Sequence, residues 1–191
     1  MLNSLSGRFL ILTTVFVMLA EVLVFVPSVA RFRQDYLLGH LERAQIASLS
    51  LLANDMIDAD LEEELLRNAG VYNVVLRRDE ARQLILSSPM PRPIDATFDL
   101  RDPSAPTLIL DALARLIDPE PRIIRVIGNP LRDAGLLIEV SMDTAPLRMA
   151  MIDYGLRILF LSAVISIATA FLLFIAVRVF LVKPIKRVVY Q

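Results

Sequence analysis

Two apolar blocks dictate what this chain can fold into. Phe9 to Ala30 is the first and Ile158 to Val182 the second, and the first twenty residues of the second carry no charge. A helix needs about 20 apolar residues to cross a bilayer, so each block is long enough to span one. The chain is 55% apolar, more than an ordinary soluble domain carries, and the excess is concentrated in these blocks. Between them, Arg31 to Arg157 contains 15 Arg, no Lys and 20 Asp or Glu. That balance is net acidic and argues against a nucleic-acid partner. The sequence has no cysteine, which excludes disulfides, thiol nucleophiles and thiolate metal sites.

Basic residues next to the blocks set an orientation. Both lysines, Lys183 and Lys186, follow the second block with Arg187, and Arg8 precedes the first. By the positive-inside rule both termini are cytoplasmic, and residues 31–157 lie across the membrane, in the periplasm of a bacterium. The expected division is therefore a cytoplasmic N-terminus (1–8), a first span (9–30), an extracytoplasmic domain (31–157), a second span (158–182) and a cytoplasmic segment (183–191). Ser28-Val29-Ala30 also has the small residues of a signal-peptidase site. The full span length and the helical pattern that resumes after Ala30 favour an uncleaved anchor.

In the middle segment, Phe32, Tyr36, Leu37, Leu41, Ala44, Ala47 and Leu51 recur at helical spacing, so a helix is expected from near Arg31 to Ile57. Pro27 is a place for it to kink. Asp60 suits the N-cap of a short helix, Leu61 to Asn68, with Gly70 closing it. Val71 to Leu76 and Gln83 to Leu86 read as a strand pair, Ala96 to Leu100 as a further short strand. Ser104 to Ile117 reads as a helix with Pro103 or Pro106 in its first turn. Arg122 to Ile127 and Leu136 to Ser141 form a second strand pair, and Asp143 or Thr144 caps a last helix that enters the second span. This order predicts an α+β domain built on an antiparallel sheet of four or five strands with helices.

Few residues suggest chemistry. Nothing resembles a nucleophile triad, a Gly-rich phosphate loop or a zinc site, so no catalytic residue, metal or cofactor is assigned. His40, the single histidine, reads as a partly exposed helix residue. Glu21 lies near the middle of the first span, where a carboxyl group is costly and marks a functional position. Ser166 or Thr169 lies at comparable depth on the second span. Arg178 lies roughly 12 Å nearer the cytoplasm than the centre of its span and reads as snorkelling to headgroups. Ser162, Ser166 and Ala170 form a small-residue stripe suited to close helix packing in a dimer or bundle. Arg77, Arg78, Arg82 and Arg92 surround the first strand pair and the Pro-rich loop, and form a candidate anion-binding set. Asp55, Asp58, Asp60 and Glu62 to Glu64 lack the Gly and distal Glu of a calcium loop.

A long helix leaving a span, a small α/β domain and a helix re-entering the membrane resemble the PAS-like (Cache-type) sensor domains of bacterial receptors. Val182-Lys183-Pro184-Ile185-Lys186-Arg187-Val188 resembles the opening of a HAMP linker, with Pro just after the span and apolar positions (Ile185, Val188) on a basic helix. Leu61 to Gly70 and Phe98-Asp99-Leu100-Arg101 are similar to sensors of proteobacterial kinases. Together these features resemble the N-terminal sensor region of a transmembrane sensor histidine kinase. That resemblance implies a homodimer in the bacterial inner membrane, answering a small molecule or an envelope signal. It also implies a kinase region beyond Gln191 that uses ATP and Mg and acts on a response regulator. HAMP-like linkers equally serve chemoreceptors and cyclic-dinucleotide enzymes, and a two-span envelope scaffold is the alternative outside signalling.

Overall fold

The computed structural model describes residues 5–53, 58–80, 83–131 and 135–177. Contacts divide the chain into two units. One combines Met1–Phe25 with Asp153–Gln191, and the other is Val26–Ile152. Two helices contribute residues to both: α1 (Leu5–Ala53) and α4 (Thr144–Val177). Between them lie α2 (Ala59–Ala69), β1 (Asn73–Arg77), β2 (Gln83–Ser87), β3 (Ile94–Asp99), α3 (Ala105–Ile117), β4 (Ile123–Gly128) and β5 (Leu137–Asp143).

In the first unit the helices are long and apolar enough to cross a membrane. Only 11% and 6% of their most apolar windows are buried, whereas the core helix of a soluble protein is mostly buried. Large side chains such as Phe16, Leu23, Phe160 and Phe171 are more than 60% exposed, as a lipid-facing surface requires. In α1 this exposed run gives way to burial at Val29 and Ala30, which belong to the core of the other unit. Cleavage after Ala30 would remove both from that core. The helix continues through Pro27, which costs one backbone hydrogen bond but does not end it.

The second unit is an α+β domain. Its sheet has five strands in the order β2-β1-β5-β4-β3. One row of side chains runs straight across it: Leu86, Val74, Val140, Val126 and Phe98 are successive register partners. Strand alternation places Leu76, Ile138, Ile124 and Met142 on the same apolar face, and all are buried. Helix α1 lies on this face. At Gly128 the approach is close, since a Cβ there would sit 2.5 Å from Leu41 Cδ1. Gln45 fastens the helix further along. Its amide donates to the Leu131 carbonyl at 3.0 Å and its oxygen accepts from Leu131 N–H at 2.7 Å.

The sheet is mixed, which corrects the expectation of a purely antiparallel one. β3 and β4 are parallel. Parallel neighbours need a crossover, and α3 is that crossover. The other pairings are antiparallel. Helix starts follow their caps. Ser104 Oγ accepts from Thr107 N–H at the head of α3, and Asp143 Oδ1 accepts from Ala145 N–H at 2.8 Å at the head of α4. α2 begins one turn fragment earlier than expected, with Asp58 rather than Asp60 at its N-cap, and ends at Gly70 with a left-handed φ of 73°.

Candidate functional site

Within the membrane-helix unit, α1 and α4 meet at defined points. Phe25 lies against Gly155, where a Cβ would come 3.2 Å from its ring. One turn further along α1, Glu21 Oε1 accepts a 2.9 Å hydrogen bond from the Ser162 hydroxyl. Val17 and Ser166 line the same groove one step on. The partner of Glu21 is therefore Ser162, four residues before Ser166. Thr169 instead donates to its own helix at Ile165 O, and Ala170 is exposed. The Ser162 hydroxyl gives the Glu21 carboxyl an internal partner, which would offset part of the cost of placing it in a bilayer. Arg178 and the junction residues Lys183, Pro184, Ile185 and Val188 lie outside the described residues.

In the sheet domain, the arginines expected to form an anion-binding set do not converge. Arg77 ends β1 beside Gln83 and Leu137. Arg92 precedes β3 on the opposite edge and at the opposite end of the sheet, where its guanidinium donates to the Pro121 carbonyl. Arg78 is exposed, and Arg82 lies outside the described residues. The acidic run at the start of α2 is structural in part, since Glu62 Oε1 accepts from Ser87 N–H at 2.7 Å.

Two cavities in this domain involve both α1 and the head of α4. The first, about 410 Å³, is lined by Tyr36, His40, Glu63, Tyr72 and Asp143 among others. His40 is 5% exposed, not the partly exposed residue its setting in the sequence suggested. Its ring lies 4.4 Å from that of Tyr36. Nδ1–H donates to the Tyr36 carbonyl at 2.9 Å, which leaves Nε2 with the lone pair. Arg43 Nη2 lies 2.9 Å from Nδ1 and 3.3 Å from Nε2, and only Nε2 can accept from it in this tautomer. Burial holds the His40 pKa below its ordinary value, and the Arg43 charge acts the same way against the opposing Tyr36 hydrogen bond.

The second cavity, about 210 Å³, lies among Arg33 of α1, Phe98 of β3, Asp111 and Arg115 of α3, Arg122 before β4 and Thr144 of α4. Arg33 is 2% exposed, with its guanidinium 4.5 Å above the Phe98 ring. Its nearest counter-charge, Asp111 Oδ2, is 3.8 Å from Nη1, too far for a hydrogen bond. Desolvation lowers the Arg33 pKa, Asp111 opposes the shift, and the Arg115 charge adds to it. Arg115, also buried, donates from Nη1 to Thr144 Oγ1 at 2.8 Å and from Nη2 to the Asp118 and Glu120 carbonyls. Arg33 Nε, Arg33 Nη1 and Arg115 Nε are buried without a hydrogen-bond acceptor among the described residues.

Neither arginine was singled out in the sequence. The available signal was position. Arg33 stands four residues before Leu37 and eight before Leu41, on the buried stripe of α1, and Arg115 stands three after Ala112 on that of α3. Comparison with known proteins finds no matching family model, no matching curated protein and no matching solved structure.

Proposed function

We propose that this chain is the sensor and transmembrane input portion of a two-component sensor histidine kinase in a bacterial inner membrane. In this reading residues 31–157 are periplasmic and the protein works as a homodimer. The observation that supports it best is the junction of β5 and α4. The strand ends at Asp143 and the helix begins at Thr144, with no linker residue between them. Thr144, Leu147 and Met151 are buried in the sheet domain, and the same helix continues as an apolar, exposed segment. A change in the domain that shifts these three side chains is passed along a hydrogen-bonded helix rather than dissipated in a loop. α1 has the same property in reverse order, with Val29, Ala30 and Leu37 in the core. A ligand favouring one disposition of the two helices then biases the segment after α4, including Pro184, and through it the kinase.

The test is a chimera. Residues 1–191 are joined in frame to the dimerisation and catalytic region of a reporter kinase, and autophosphorylation is measured in membrane vesicles. One alanine inserted after Ile152 rotates the distal helix by roughly 100°. A marked change in kinase output on that insertion is expected. Output that ignores the insertion, and also ignores deletion of residues 31–142, would remove the receptor reading. Sequencing the reading frame beyond Gln191 tests the kinase assignment itself: a phosphoacceptor-His helix is expected, and any other output domain reassigns it.

A further inference from the structure

The cavity beside Arg33 is poorly explained by its own protein groups. Three arginines and two aspartates line it, and Arg122 also pairs with Glu120, Nη2 to Oε2 at 3.4 Å. Arg122 is neutralised by Asp118, Nε to Oδ2 at 3.0 Å. Arg115 is engaged through both terminal nitrogens. The least compensated charge is therefore that of Arg33, held over an aromatic face with its nearest carboxylate outside bonding distance. Rotating Asp111 would serve Nη1 alone, because Nε–H and Nη1–H point to different edges of a guanidinium. Buried cations are otherwise paired and hydrogen-bonded.

We infer that this cavity binds a small oxyanion, a carboxylate or phosphate solute, principally through Arg33, with the charges of Arg115 and Arg122 beside it. About 210 Å³ suits a phosphate ion or a dicarboxylate of a few carbons. Phe98, Ala96 and Ile124 supply the apolar wall that a carbon skeleton needs. Acceptor oxygens in the cavity would serve one edge of the Arg33 guanidinium and balance its charge, and Arg is the side chain suited to that task. The occupant would touch α1 through Arg33, and α4 through Thr144, whose hydroxyl Arg115 already holds. The inference deepens the receptor reading by naming a ligand class, and it can fail separately, since binding needs no output domain.

The experiment is calorimetric titration of the full chain in maltoside micelles with inorganic phosphate, acetate and succinate, at constant ionic strength set by chloride. Saturable binding of phosphate or of a carboxylate is expected, at one site per chain, and the arms separate the two sources. Arg33→Met is expected to weaken it by roughly ten- to a hundredfold, as loss of a charged hydrogen bond requires. Arg122→Gln, at a half-exposed position that folding tolerates, is expected to weaken it by at least about threefold through lost charge. A folded wild-type chain that binds none of the three anions overturns the inference and makes the cavity a water site. Binding unchanged in Arg122→Gln and in a folded Arg33→Met overturns it too.

Discussion

Arg33→Met tests whether the buried guanidinium serves stability or something else. Met keeps the length and the contact with the Phe98 ring but removes the charge and every N–H. Two buried donors without acceptors, Nε and Nη1, are relieved at about 1–3 kcal/mol each. Against that stand a cation–π contact, about 0.5–2 kcal/mol, and an ion pair at 3.8 Å to a part-exposed Asp111, below about 1 kcal/mol. The thioether recovers some of the ring contact. The balance favours the variant by about 2 kcal/mol, within the range known for replacing buried ion pairs by apolar groups. For a domain of this size that is a rise in Tm of roughly 4–8 °C. Adjusting pH cannot mimic the change. Arg33 has a lowered pKa in the fold, but it remains protonated in both folded and unfolded states near neutrality, so its cost is constant there. The assay is thermal unfolding of the full chain in maltoside, followed by circular dichroism, in chloride buffer and then with the anion that binds. In chloride the variant should melt higher, and the anion should raise the wild type more than the variant. A variant that melts more than about 4 °C below wild type in chloride would refute the reasoning, because Arg33 would then have adequate partners in the fold.

Three further outcomes follow from the geometry. The lowered pKa of His40 means that the unfolded chain takes up a proton first, so His40 supports stability above its ordinary value of 6.5 and that support is lost as pH falls below it; denaturant midpoints at pH 7.5 and 5.5 should converge in His40→Gln, and an unchanged gap would exclude His40 as the cause. Gln45→Ala should lower stability by about 1–3 kcal/mol by unpairing both backbone groups of Leu131, with hydrogen exchange at Leu131 N–H accelerated; normal protection there would contradict the clamp. Because the sequence has no cysteine, Val17→Cys with Ser166→Cys is a clean pair, expected to cross-link within one chain by oxidation, whereas Val17→Cys with Ile167→Cys is expected to do so far less.

Element order was legible in the sequence because periodicity, caps and turn residues act locally. Ser104, Gly70 and the Asp143-Thr144 junction all stand where side-chain chemistry put them. The direction of β3 was not read, although the signal was present: a helix of 13 residues between Asp99 and Ile123 is a crossover connection, and crossovers join parallel strands. The pairing of β1 with β5 is a long-range choice that no local pattern encodes. The candidate site was misplaced for a different reason. The arginines around the first strand pair drew attention by their density, while Arg33 and Arg115 are single residues on apolar stripes. Glu21 was conspicuous by its setting, and its partner is Ser162, four residues before the Ser166 expected at its depth, a matter of offset rather than residue type.

The place of β5 in the sheet also bears on how the protein is made. β1 and β2 form one half of the sheet and β3 and β4 the other, and β5 alone joins them. It is the last strand to leave the ribosome, immediately ahead of α4. Until residue 143 has emerged, the inner edges of β1 and β4 present unpaired backbone groups, the kind of surface that invites association with other chains. Nascent chains of this protein therefore pass through a window in which two half-sheets wait for their common strand, and that window closes only as synthesis reaches the second apolar helix. Slow translation across residues 129–143 would prolong it, and a folding helper acting on this chain would find its substrate there.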